Sequence, residues 1–180
     1  MKVRAETRRL TKPLPGGKQG ATVAVELIRA GEFKTPRAFI ETETPLPKLR
    51  MAGFGTPRSQ YTTLPCPAFL IHHPGAGPFL VDTGLHPSVA ASPAENLGRL
   101  IARFGHVHLE PGDDVPAQLR KRGIDPKEIG LVVMTHMHLD HTSAISEFPN
   151  ASFVITEDEW EAAATGSRPL LHGYRRAPFD

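Results

Sequence analysis

The chain has 180 residues, 39% of them hydrophobic, which suits one domain or a large part of one with a buried core. Its 21 basic and 19 acidic residues nearly cancel, leaving a net charge of +2, so nothing points to a nucleic-acid or membrane-surface partner. Residues 1–20 hold no apolar stretch of the secretory kind, no run is long enough to span a bilayer, and the single Cys66 excludes an internal disulfide framework; a cytoplasmic protein is expected.

Lys2, Arg4, Arg8 and Arg9 are interrupted by Glu6 and small residues, so residues 1–20 read as a flexible, solvated tail ahead of one domain over 21–180. "ATVAVELI" (21–28) is rich in β-branched residues and predicts a strand. Residues 35–65 are proline-rich and read as a long loop, and Cys66, set between Pro65 and Pro67, reads as a buried small hydrophobe. In "PAFLIHHPGAGPFLVDTG" (67–84), two apolar runs flank the turn Pro74–Gly77 and predict a hairpin ending in the polar turn Asp82-Thr83-Gly84.

Leu97, Leu100, Ile101 and Phe104 are spaced as one helix face over 94–104. A second helix is expected over 114–122, opened by Asp113 or Asp114 and burying Val115 and Leu119. Asp125, Pro126 and Glu128 have the order of a capped helical turn. The strand that follows, Leu131–Thr135, is apolar without alternation, as when both faces of a sheet are covered. "ASFVI" (151–155) is another strand, and "TEDEWEAAA" a helix with Thr156 capping and Glu159 reaching back to it. Strands mixed with short helices indicate an α/β protein.

The chemistry lies in "THMHLDH" (135–141). Residues two apart on a strand point the same way, so His136 and His138 can converge on one point, half of a tetrahedral zinc shell. Asp140 and His141, past the strand, can reach a second point close by, as two-metal hydrolytic sites require. Imidazole and carboxylate without thiolate favour zinc, one ion or two, with iron, cobalt and manganese as alternatives.

"THMHLDH" resembles the metal-binding signature of the metallo-β-lactamase-fold hydrolases, and "FLVDTG" (79–84) and "GIDPKEIGLVVMTH" (123–136) are similar to the segments that precede it. The resemblance spans roughly residues 67–160 and implies an αββα sandwich, a mixed sheet with flanking helices, of which this chain looks like the N-terminal half, truncated at its C-terminus. It implies His136 and His138 as ligands of one metal, and Asp140 and His141 as ligands of a second. Asp140 would also handle a proton as the leaving group departs, and Asp82 would support the site by orienting a ligand or its loop.

The long insert between Asp82 and His136 is most like that of the N-acyl-homoserine-lactone lactonase group, whereas "HTSAISEF" (141–148) departs from the Gly-Gly common after the signature. The resemblance implies metal-dependent hydrolysis of an ester-like bond in a small-molecule substrate, with a lactone preferred, no nucleic acid or membrane partner, and a homodimer as an allowed assembly. The alternatives are a glyoxalase II-type thioesterase, a β-lactamase-like hydrolase, or a non-catalytic metal-binding fragment. His172 follows the signature too soon to match a third histidine ligand, and nothing singles out Asp180 as a bridging aspartate.

Overall fold

The computed structural model of the chain describes residues 5–8, 14–41, 55–104, 106–165 and 174. Six strands form one mixed sheet: β1 (Ala24–Pro36), β2 (Tyr61–His73), β3 (Gly77–Val81), β4 (Val107–His108), β5 (Leu131–Val133) and β6 (Ser152–Val154), in the order β4-β1-β2-β3-β5-β6. β1, β2, β3 and β4 pair antiparallel, whereas β3–β5 and β5–β6 are parallel. Five helices accompany them among the described residues: α1 (Pro93–Leu97), α2 (Arg99–Phe104), α3 (Val115–Lys121), α4 (Leu139–Thr142) and α5 (Glu157–Thr165). The expected α/β class is the one observed.

The expected hairpin forms in the register Phe69 opposite Val81 and Leu70 opposite Leu80, and the His73 ring closes its turn by accepting the Gly75 and Ala76 amides. β1 runs well past the stretch expected, through Pro36, and β2 begins at Tyr61, so both ends of the anticipated 35–65 loop are strand; residues 42–54 lie outside the described residues. Pro65 and Pro67 are tolerated because β3 pairs only with Phe69–His73, which leaves β2 an open edge there. Cys66 is fully buried, and burial pushes its thiol well above the ordinary range.

The expected helix over 94–104 is two helices, broken at Gly98, whose φ of 82° a longer helix cannot accommodate. Asp114, not Asp113, opens α3, its carboxylate accepting the Ala117 amide at 2.7 Å. Asp125 caps a single 3-10 turn by accepting the Lys127 amide. β5 stops at Val133, two residues short of the expected end.

Strand alternation divides the sheet into two faces. On one, Ile28, Ala30, Ala68, Leu70, Leu80 and Val132 are fully buried and join Val115 and Leu119 of α3 and Phe148. The register places Val25 and Leu27 on the other face beside Phe69, Ile71, Phe79, Val81 and Val133. There Val25 is 57% and Leu27 56% exposed. A helix-covered sheet with an apolar, partly open second face is half of a layered sandwich.

Candidate metal centre

The site forms where β3 and β5 end side by side. Asp82 leaves β3 in the left-handed region, φ 62°, which aspartate tolerates better than most residues, and its amide donates to the Val133 carbonyl. Its buried carboxylate gathers the loop after β5: Oδ1 accepts the Thr135 amide at 2.8 Å, and Oδ2 accepts the Thr135 hydroxyl at 2.7 Å and His141 Nδ1 at 2.8 Å. Thr83 adds its amide and hydroxyl, both donating to the His141 carbonyl. Gly84, φ 69°, completes the turn; a Cβ there would sit 2.4 Å from the Ala30 Cβ, so only glycine lets the turn lie against β1.

His136 and His138 are not on a strand, contrary to expectation. They sit in the loop between β5 and α4, with His138 at the N-cap of that helix and its carbonyl accepting the His141 and Thr142 amides. They converge nonetheless. The His136 ring lies 4.5 Å from that of His138 and 4.1 Å from that of His141, centroid to centroid, and Asp140 Oδ2 lies 3.3 Å from His141 Nε2. The structure thus brings together all five residues singled out from the sequence: Asp82, His136, His138, Asp140 and His141.

Hydrogen bonds assign the tautomers. The Thr135 hydroxyl has one proton and donates it to Asp82, so it accepts from His136 Nδ1 at 2.9 Å, leaving the Nε2 lone pair of His136 free. For His141, burial opposes the charged form, but hydrogen bonds to Asp140 and Asp82 outweigh it and raise the pKa to about 9. Burial would raise the Asp140 carboxyl, yet its hydrogen bond to His141 and the charges of His141 and His138 hold it below its ordinary value. Burial, together with the neighbouring imidazoles, lowers His136.

In kind, the donor set fits a divalent cation: three clustered imidazoles, the buried carboxylate of Asp82, the half-buried one of Asp140 and no thiolate. In number it does not complete a shell. Among the described residues no group of three or more His, Cys, Asp or Glu is arranged to hold a metal ion. One reason is visible at His141, where both ring nitrogens face carboxylates. His172 and Asp180 lie outside the described residues.

The remaining histidines among the described residues are otherwise engaged. His72 pairs with Glu26 at 2.6 Å and His108 with Glu110 at 2.9 Å, both at the surface, and the His106 ring meets Tyr61 edge-on. His86 approaches the site from outside: its amide donates to the Ser143 hydroxyl, and its ring meets Ser88 and Glu147.

Sequence reasoning missed three participants. Thr135 and Thr83 have no signal beyond standing next to motif residues. Glu159, expected to reach back within α5, instead accepts the Met137 amide at 2.9 Å. Ser143, which stands where glycine is common in the resembling family, donates to Asn96 Oδ1 at 2.5 Å, and Asn96 Nδ2 donates back to the Ser143 carbonyl.

The family model described as the metallo-beta-lactamase superfamily matches residues 61–179. An N-acyl homoserine lactonase, AttM, of Rhizobium radiobacter is 38% identical over 117 residues, 65% of this chain and 44% of its own length. AiiB, an N-acyl homoserine lactonase of Agrobacterium fabrum, is 28% identical over 163 residues, 85% of this chain and 52% of its own length. The chain therefore spans about half the length of these relatives. A solved N-acyl homoserine lactone hydrolase, with the product N-hexanoyl-L-homoserine at its catalytic metal center, superposes with a TM-score of 0.64 at 21% identity, covering 86% of this chain and 55% of its own. That likeness is one of fold.

Proposed function

The chain belongs to the metallo-beta-lactamase superfamily, and on that footing we propose that it carries half of the catalytic centre of a metal-dependent lactone hydrolase. The observation that carries this reading is the convergence of His136, His138, Asp140 and His141 around the buried carboxylate of Asp82. His136 with His138 would hold one ion, and Asp140 with His141 a second; zinc suits imidazole and carboxylate donors. A divalent cation, when bound, lowers the pKa of a water and polarises an ester carbonyl.

The residues prepare for that chemistry. Thr135 keeps the His136 proton on Nδ1, so Nε2 faces the centre as a donor. Asp82 likewise holds the Nδ1 proton of His141, whose Nε2 faces Asp140 and must shed its own proton before it can donate. Asp140, held ionised, takes up a proton at its carboxylate and returns it to the departing alkoxide. The substrate class follows from the relatives: AttM and AiiB are N-acyl homoserine lactonases, and a lactone is an ester whose hydrolysis releases an alkoxide.

One observation favours a second reading, a metal-binding fragment without turnover. No three donors among the described residues are arranged to hold an ion. Metal analysis of the chain after zinc loading, followed by assays on N-hexanoyl homoserine lactone and S-lactoylglutathione, separates the possibilities. Lactone opening that is lost with His138→Ala supports the proposal, and zinc uptake without turnover supports the second reading. A chain that takes up no zinc overturns both.

A further inference from the structure

The histidine loop has lost its strand partners by the time it reaches His136 and His138, so its shape depends on what replaces the ladder. Met134 still donates to Val154 of β6. Beyond it, two carboxylates take over on alternate amides: Asp82 accepts from Thr135, and Glu159 of α5 accepts from Met137. Met137 stands between the two histidines. Its side chain is buried with Ala163, and Ile145, Ile155, Trp160 and Tyr174 pack against the pair. Tyr174 also bridges to His138 through the backbone, and its ring lies 5.2 Å from the His138 ring. Burial and the nearby Glu159 carboxylate raise the pKa of its hydroxyl.

We infer that Glu159 is a positioning residue for His136 and His138: by holding the Met137 amide against α5, it sets how the two imidazoles face each other. Backbone fixation at the middle residue constrains both neighbours at once. With Met137 anchored towards α5 by side chain and amide together, the loop cannot twist without breaking a hydrogen bond that includes a charged acceptor, among the stronger kinds in proteins. The inference rests on the metal reading for its consequence, but the geometry it describes belongs to the metal-free chain.

The test therefore has a metal-free arm and a metal arm, applied to the 180-residue chain and to Glu159→Ala, Glu159→Gln and Glu159→Asp. In the first, NMR follows exchange of the Met137 amide and the ring signals of His136 and His138, with thermal unfolding in parallel. Glu159→Ala should speed Met137 exchange about tenfold and shift both rings. Glu159→Gln, which keeps an acceptor oxygen, should restore most of both, and Glu159→Asp, one methylene shorter, should move in the same direction as Ala. Unmoved rings and a protected amide in the Ala and Asp variants would overturn the inference. In the second arm, cobalt(II) is titrated and read by its visible spectrum. Glu159→Ala should weaken binding roughly 10- to 100-fold and alter the spectrum, as loss of a supporting partner does. Wild-type affinity and spectrum in that variant would also overturn it. A wild-type chain that binds no cobalt would sink the metal reading, and the positioning role would then stand or fall on the NMR arm.

Discussion

Replacing Asp82 by alanine should unfold the loop that bears the histidines. The carboxylate is 2% exposed and accepts three hydrogen bonds, from the Thr135 amide, the Thr135 hydroxyl and His141 Nδ1. The hydroxyl can turn to His136 Nδ1, 2.9 Å away, but the part-buried Thr135 amide and His141 Nδ1–H lose their acceptor. A fully buried orphan costs about 1–3 kcal/mol, and partial access to water puts each of these at the lower end, so the pair costs about 2. Alanine at φ 62° adds about 1 kcal/mol of backbone strain. The sum, about 3 kcal/mol, is a sizeable part of the 5–15 typical of a whole domain. Urea unfolding at neutral pH, followed by far-UV circular dichroism, reads it directly. Asp82→Gly should lose about 1 kcal/mol less than Asp82→Ala, because glycine accepts the positive φ, and Asp82→Asn, which keeps one acceptor, should lose less than either. An Asp82→Ala chain within about 1 kcal/mol of wild type would refute the reasoning, since two orphaned donors and a strained φ together exceed that. The same substitution should turn the His136 tautomer, because a hydroxyl that donates to Nδ1 leaves the proton on Nε2.

Other outcomes follow from the same site and its surroundings. The folded pKa of His141, about 9, lies above its ordinary 6.5, so its contribution to stability is complete below pH 6.5 and lost as pH rises through about 9. The metal-free chain should therefore show a denaturation midpoint that declines between those values, with the decline reduced in His141→Ala; a midpoint that climbs over this range contradicts the assignment. Loading a divalent cation must displace that proton, so metal uptake should strengthen with pH and release protons measurable in weakly buffered solution. Ser143→Gly should cost about 1–3 kcal/mol, because Asn96 Oδ1 and the His86 amide lose the Ser143 hydroxyl. A double-mutant cycle with Asn96→Ala should return a coupling of about 0.5 kcal/mol or more, and strict additivity would show that the pair does not act together.

The Ser143–Asn96 pair also accounts for a departure in the sequence. Where glycines are common in the resembling family, Ser143 and Ala144 are both buried here, and α1 of the insert supplies the partner that the serine hydroxyl needs. The insert is thereby tied to the residue two past His141. This link was invisible in the sequence because Asn96 and Ser143 are 47 residues apart and neither belongs to a motif.

By itself the sequence determined what local chemistry dictates. It contained the α/β class, the hairpin at Pro74–Gly77, a cap at Asp113 or Asp114, the cap at Asp125, and the clustering of His136, His138, Asp140 and His141, because periodicity, turn residues and ligand spacing act over a few positions. Only the tertiary structure decided how that cluster is held. The two histidines meet in a loop rather than on a strand, since β5 ends at Val133 and the ladder is replaced by carboxylates from Asp82 and Glu159. Glu159 has the spacing of a capping-box residue, which its own helix could satisfy locally. Packing of Met137 against Ala163 brings the loop amide within reach, and a buried amide without a partner costs more than a frayed helix start. Such choices depend on which distant donor is left unsatisfied, and that is settled only when the chain is folded.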